Sequence, residues 1–223
     1  MSIFEKRRQN LRRAMLYHCI DASIFTPSTD YLYLTGSYKQ PAQRISALIL
    51  TQKRSVLLLP CIEAENEPQL ADELEILTYS DLDNAEKIIC SLLPPKGRIA
   101  IGREMRAGFL LSMQALSPEL QWQNADTLLS PIRRKKEPEE IQMIEEAQHM
   151  AERALTKLLS EPIIGKTECE LASRLMELRL DEGFDSVGPG IVASGPNTAL
   201  PHHTNGERVL SCGHVLMFDI GGV

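Results

Sequence analysis

Two adjacent histidines, His202 and His203, and one acid, Asp219, are the side chains in this sequence best spaced for chemistry. They lie in the stretch 188–222, GPGIVASGPNTALPHHTNGERVLSCGHVLMFDIGG. An imidazole can donate, accept or pass on a proton near neutral pH. A carboxylate ending a buried strand is costly unless it is paired, hydrogen-bonded or bound to a metal. Gly221 and Gly222 follow it and let backbone or ligand approach closely. The stretch reads as one imidazole and one carboxylate brought together by neighbouring strands. The same residues also have ordinary uses. An Asp after a strand is a common turn residue, and a surface His pair can be inert.

Two apolar runs, 190–193 and 214–220, read as the strands that position these groups, with a polar loop between them. Upstream, Ile141, Ile144, Ala147, Ala151, Leu155 and Leu158 make the apolar stripe of a helix over 139–160. Glu139 and Glu140 fall in its first turn, where the helix dipole favours acids. Thr167 with Glu170 forms a capping box that opens a second helix over 167–183. Leu171, Leu175 and Leu178 are its buried stripe, and Gly183 its C-terminal cap. The leucine stripes read as core. The other acids of that helix, Glu168 among them, read as lying outside the sheet.

The first 131 residues alternate strands and helices. Helices are expected over 3–18, 63–73, 84–93 and 107–116. Strands are expected over 22–26, 74–79, 98–101 and 120–123, with 45–50 and 56–59 as a hairpin. Pro27 to Asp30 reads as a turn or helix cap leading through 31–34 to Thr35-Gly36. This is an α/β domain, 1–131, followed by a second region, 132–223.

Composition bounds the function classes. Of the 223 residues 43% are hydrophobic and 24% charged, as in an ordinary globular protein. The net charge of −6 argues against a nucleic-acid partner. The basic pairs Arg7-Arg8 and Arg12-Arg13 read as a solvated helix face, and the run from Arg133 to Lys136 as a linker. Five scattered cysteines with no CxxC fit a reducing cytoplasm. No run approaches the length of a membrane span, and no membrane partner is expected.

Three motifs carry a resemblance to a known family. Ser194, Gly195, Asn197, Pro201 and His202, then Gly213, Val215, Leu216, Asp219 and Gly221, match a pattern S-G-x-N-x-x-x-P-H followed by G-x-V-L-x-x-D-x-G. The pattern resembles that of the pita-bread metallopeptidases: Xaa-Pro aminopeptidases, Xaa-Pro dipeptidases (prolidases), methionine aminopeptidases and creatinase. His214 stands where the family commonly has Asp, at a position that looks structural. Tyr33, Leu34, Thr35 and Gly36 resemble an element of the creatinase-type N-terminal domain, which methionine aminopeptidases lack. Arg133, Lys136, Glu140 and Ile141 resemble the interdomain signature.

The resemblance implies a fold, a reaction and roles. The fold is α/β (α+β): a creatinase-like N-terminal domain with a mixed sheet, then the first half of a pita-bread catalytic domain. The reaction is metal-dependent hydrolysis of the Xaa-Pro bond in a proline-containing peptide. His202 contacts substrate and stabilises the tetrahedral intermediate, and Asp219 is the first metal ligand. The cofactor is a pair of divalent ions, manganese with cobalt or zinc as alternatives. The other four ligands lie further along the chain in the family. This chain is therefore expected to be an inactive fragment that binds no metal tightly, with an open-edged, association-prone C-terminal part. His203 is a plain loop residue on this reading. The intact protein is expected to be a cytoplasmic homo-oligomer, a dimer. Two other readings stand beside it: a metal-free, creatinase-like hydrolase, and a non-catalytic binding module on the same fold.

Overall fold

A computed structural model describes residues 1–64, 70 and 72–223. The chain forms two compact units, Met1–Lys135 and Lys136–Val223.

In the first unit the runs 47–50 and 56–59 are apolar without alternation, as strands covered on both faces require. They form β2 (Ala47–Thr51) and β3 (Ser55–Pro60), paired antiparallel as a hairpin. β1 (Ala22–Phe25) pairs antiparallel with β2 and parallel with β5 (Gly97–Ile101). β4 (Glu75–Tyr79) and β6 (Leu120–Asn124) complete a six-stranded sheet of order β4-β3-β2-β1-β5-β6. The mixed sheet and the α/β class expected from the sequence are what is observed.

Side chains alternate across the strands. Leu48, Leu50 and Leu57 face one layer, made by α1 (Ile3–Tyr17), α2 (Thr29–Thr35) and α6 (Asp126–Arg134). Ile49, Val56 and Leu58 face the other, with Ile89 of α4 (Ala85–Ser91) and Met113 of α5 (Ala107–Leu116). Among the described residues no helix is long and apolar enough to cross a membrane.

The helix expected over 63–73 overlaps α3 (Cys61–Ala64) at its start and a turn at 72–73 at its end; residues 65–69 and 71 lie outside the described residues. Two expectations are corrected here. The boundary expected at 131 falls inside α6, which tolerates Pro131 and buries Leu128 and Leu129. Arg7 and Arg8 are not solvated but buried. The Arg7 Nη1 donates to the Tyr33 carbonyl at 3.2 Å, and its guanidinium lies 4.0 Å from the Tyr33 ring centre. The Arg8 Nη1 donates to the Leu34 carbonyl at 2.8 Å, and its other nitrogens reach Glu5 and Glu73. Two cations thus meet the C-terminal carbonyls of α2, the end of a helix that attracts positive charge.

The Tyr33-Leu34-Thr35-Gly36 motif is the end of α2. Ser28 caps its start, accepting from the Tyr31 amide at 3.1 Å. Gly36 caps its end in the left-handed region at φ 77°. A Cβ there would sit 2.4 Å from the Phe4 ring. The position requires glycine twice over, for φ and for space.

In the second unit, α7 (Pro138–Ser160) and α8 (Glu168–Asp181) pack together against β7 (Ile191–Ser194) and β8 (Leu216–Asp219). Leu171, Leu175 and Leu178 are buried as expected, with Ala154, Leu158 and Val192. The stripe of α7 is buried only over its C-terminal half. Ile141 and Ile144 are 46% and 54% exposed.

Gly36→Ala is expected to destabilise the first unit by about 2 kcal/mol from left-handed strain, and by more from displacing Phe4. Urea melts followed by Trp122 fluorescence check this. A variant within about 0.5 kcal/mol of wild type, the range of neutral surface changes, would contradict it.

Candidate functional site

Thr167 opens α8 with the capping box expected from sequence. Its hydroxyl accepts from the Glu170 amide at 3.1 Å, and the Glu170 carboxylate accepts from the Thr167 amide at 2.7 Å. The first residue inside that cap is Glu168. Its side chain turns into the unit and is wholly enclosed, with 0% exposure. An ion in that position has lost its water and must be met by donors.

The donors come from the Ser194 end of the β7–β8 ribbon and the loop that follows it. Glu168 Oε1 accepts from the Ser194 amide at 2.7 Å, the Ser194 hydroxyl at 2.8 Å and Asn197 Nδ2 at 3.0 Å. Oε2 accepts from His203 Nε2 at 2.7 Å and the Gly206 amide at 3.3 Å. Burial alone pushes this carboxyl up. The bonds from His203, Asn197 and Ser194 outweigh it and bring the pKa down to about 2. Glu168 is thus ionised at neutral pH, and the proton in the pair with His203 sits on the imidazole Nε2.

The segment so held carries His202. After β7 the chain makes a short 3-10 helix, Gly195–Ala199. Gly195 takes φ 52°, and a Cβ there would meet the Arg208 guanidinium at 2.9 Å. The chain then turns through His202, itself at φ 55°. A non-glycine residue in that region costs about 1 kcal/mol and persists where its surroundings enforce it. The return limb runs back along β7. Asn205 Oδ1 accepts from the Val192 amide at 2.7 Å, and Asn205 Nδ2 donates to the Gly190 carbonyl at 3.0 Å. The carbonyls of Gly206 and Arg208 accept from the amides of Cys169 and Glu168 in the first turn of α8.

The ribbon fixes Asp219. Leu216 pairs with Ser194 and Asp219 with Ile191. Leu216 and Phe218 pack toward the helices, so by alternation Asp219 faces the opposite, helix-free side. It is exposed. His202 is exposed too. The stem of its loop is at the Ser194 end of the ribbon and Asp219 at the other, roughly 10 Å apart along the strand. Beyond Asp219, the fully buried Arg179 of α8 holds the chain. Its guanidinium donates to the Gly221 carbonyl at 2.6 Å and the Gly188 carbonyl at 2.7 Å. His214 closes the turn before β8, its Nδ1 accepting from the Ser211 amide at 3.2 Å. Among the described residues no group of three or more His, Cys, Asp and Glu side chains is placed to hold a metal ion.

Two readings of the sequence need correction. His203 is not a plain loop residue, and Glu168 does not lie outside the sheet. The sequence separates them by 35 positions, so no local spacing could reveal the pair. The one signal was an acid at the first position of a capped helix, a place where most acids stay in solvent.

Residues 7–135 match the Creatinase/Prolidase N-terminal domain, and residues 142–223 match metallopeptidase family M24. A protein named probable dipeptidase PepE from Mycobacterium tuberculosis (strain ATCC 25618 / H37Rv) is 28% identical over 207 residues, 89% of this chain and 54% of its own length. The crystal structure of dipeptidase PepE from Mycobacterium ulcerans superposes with a TM-score of 0.90 at 25% identity, covering 99% of this chain and 60% of that one. A prolidase from Thermococcus sibiricus shares the fold at a TM-score of 0.89 and 24% identity, covering 100% and 62%. The chain spans about half the length of the curated relatives it matches.

The Glu168 carboxyl gives a prediction with a definite sign. Its folded pKa of about 2 lies below the ordinary 4.5, so the unfolded chain binds the proton more readily. The stabilisation is complete above about pH 4.5 and is lost as pH falls toward 2. Other acids of this unit, such as Glu161 and Glu182, are also held low by their partners. The contribution of Glu168 is therefore the difference between wild type and Glu168→Gln. Amide-resolved melts between pH 3 and 7 should show the acid destabilisation of residues 136–223 shallower in the variant. Equal slopes would contradict the assignment.

Proposed function

Because the chain belongs to the creatinase/prolidase N-terminal-domain family and continues into a metallopeptidase family M24 match, we propose that the whole protein hydrolyses the Xaa-Pro bond, as a dipeptidase or aminopeptidase. The observation that carries the reading is the order of the two matches, 7–135 then 142–223. Relatives aligned across both are named as dipeptidases.

The roles proposed for this chain follow from its chemistry. Proline has no amide proton, so a substrate held at the bond before it loses one main-chain hydrogen bond. Recognition must then come from side chains. His202, exposed on a fixed loop, donates to the carbonyl oxygen of the scissile bond as that oxygen gains negative charge. Asp219, on the helix-free face of the ribbon, is one metal-binding carboxylate.

The M24 family implies divalent metal ions, which when bound generate a hydroxide nucleophile near neutral pH. We take manganese as the metal, with cobalt or zinc as alternatives. The donor set here is a single exposed carboxylate, and hard cations take several oxygen ligands. These residues alone do not fit a two-ion site. The 223-residue chain by itself is accordingly proposed to be inactive, with the complete ligand set belonging to the whole protein. All five cysteines are free thiols, which supports a reducing cytoplasm. The unpaired edge of the two-stranded ribbon supports assembly with a second copy.

Incubation of the purified chain with Ala-Pro or Gly-Pro and manganese should give no turnover. Chelator-sensitive hydrolysis would overturn the inactivity. In the chain extended in frame to the length of its relatives, His202→Ala should lower kcat by roughly 10²–10³ at unchanged metal content. Asp219→Ala should lose metal. If His202→Ala empties the site and Asp219→Ala does not, the roles are reversed.

A further inference from the structure

We propose that Glu168 and His203 form a positioning pair that holds His202 in its left-handed backbone conformation, and so presents the His202 imidazole to substrate. The proposal rests on the reading of His202 as the substrate-facing donor, and its geometry comes from this chain alone. Glu168 is a point where both limbs of the loop meet. Ser194 enters the loop, Asn197 lies on its first turn, His203 follows His202 directly, and Gly206 leaves the loop. All four donate to the one carboxylate.

His202 lies between these anchors and is not among the donors to the carboxylate. Its backbone takes φ 55° and its side chain is exposed. An unanchored residue relaxes to negative φ. Here the Pro201 ring restrains the chain on one side, and the His203 side chain ties it down on the other. The consequence is directional. With His203 turned in to Glu168 and the backbone in the left-handed region, the neighbouring imidazole is left facing outward. Adjacent residues that differ so sharply, His203 at 11% side-chain exposure and His202 in solvent, divide two tasks between one pair of histidines. His203 holds and His202 reaches.

The remaining groups around the carboxylate do not replace this function. Asn205 ties the return limb to β7 through Val192 and Gly190, beyond His203. The guanidinium of Arg208 packs against Gly195, at the start of the loop. Neither reaches the segment 201–203. Without the imidazole, the next side-chain bond between this loop and the helix after Asn197 is that of the Cys169 thiol, which donates to the Asn205 carbonyl at 3.1 Å, beyond the segment 201–203.

The test uses the 223-residue chain, labelled with ¹³C and ¹⁵N, and needs no catalysis. One-bond Cα–Hα couplings and Cα and Cβ shifts report the φ region of His202. Imidazole ¹⁵N shifts report the proton on His203 Nε2. In wild type, His202 should show the left-handed signature. Glu168→Gln puts a donor where the carboxylate accepted, and His203→Leu removes the imidazole. Both should return His202 to negative φ and raise amide exchange at Gly206 at least tenfold. His203→Gln, whose amide nitrogen can still donate to Glu168, should keep the wild-type signature. This rescue separates positioning from a general packing role, which Leu would fill as well as Gln. If Glu168→Gln does not fold, judged by amide protection at Leu171 and Leu175, the two His203 variants decide alone. The proposal is overturned if His202 stays left-handed in His203→Leu, or if His203→Gln is disturbed as much as His203→Leu. Failure of His202→Ala to slow the extended enzyme would instead remove the peptidase role of His202, and would leave the positioning result as measured.

Discussion

A carboxylate taken out of water must recover its hydration from donors held in place around it. Glu168 recovers it from five donor groups, supplied by a strand end, a 3-10 turn and a loop. The arrangement of the second unit follows from that requirement. The donors must converge, so the loop after β7 must fold back on itself. The start of α8 must face the end of β7, so the helix runs antiparallel to the strand. A buried ion with its full set of partners contributes specificity more surely than stability, because desolvation offsets much of what the bonds return. Removing any one donor leaves the charge short and is costly.

The first unit solves the opposite problem with the same logic. The last carbonyls of α2 have no partners within their own helix. Arg7 and Arg8, two neighbours on α1, supply the donors. Arg8 can be fully buried because Glu5 and Glu73 balance its charge. The Phe4 ring then covers Gly36, where any side chain would collide. Docking of the first helix and the end of the second are thereby one device, and the sheet's Leu48–Leu50 face is closed by both.

What could be read in the sequence, and what could not, divides along range of interaction. The Thr167–Glu170 capping box, the apolar runs of β2 and β3 and the leucine stripe of α8 are local patterns with a fixed period, and they are found where expected. Arg7 and Arg8 were misread because an arginine on an amphipathic helix is ordinarily solvated; only the distant carbonyls of α2 change that. The domain end expected at 131 falls within α6, although a proline inside a helix removes one bond. Leu128 and Leu129, buried just ahead of Pro131, hold α6 against the core. His203 and Glu168 were missed for the same reason as the arginines. Each is unremarkable until the fold brings a partner from far along the chain. Resemblance drew attention to His202 and Asp219, both exposed, and not to the buried residues that hold the loop.

The two ends of α8 carry opposite charges toward the ribbon, and this bears on how its open face is kept in shape. Glu168, at the start, holds the Ser194 end of β7. Arg179, near the finish, donates to Gly188 ahead of β7 and to Gly221 two residues past Asp219. The helix is therefore bolted to the ribbon at both ends by ions that cannot leave without exposing unpaired groups. Between the bolts lies an apolar contact of Leu171, Leu175 and Leu178 with Val192 and Phe218, which by itself would tolerate a slide of the helix along the strands. A slide of one residue would break every bond to Glu168 and Arg179 together. The register of α8 on the ribbon is thus set by charge and its adhesion by apolar area. Asp219 and the His202 loop, one at each end, take their spacing from the β7–β8 pairing and their placement over α8 from that register.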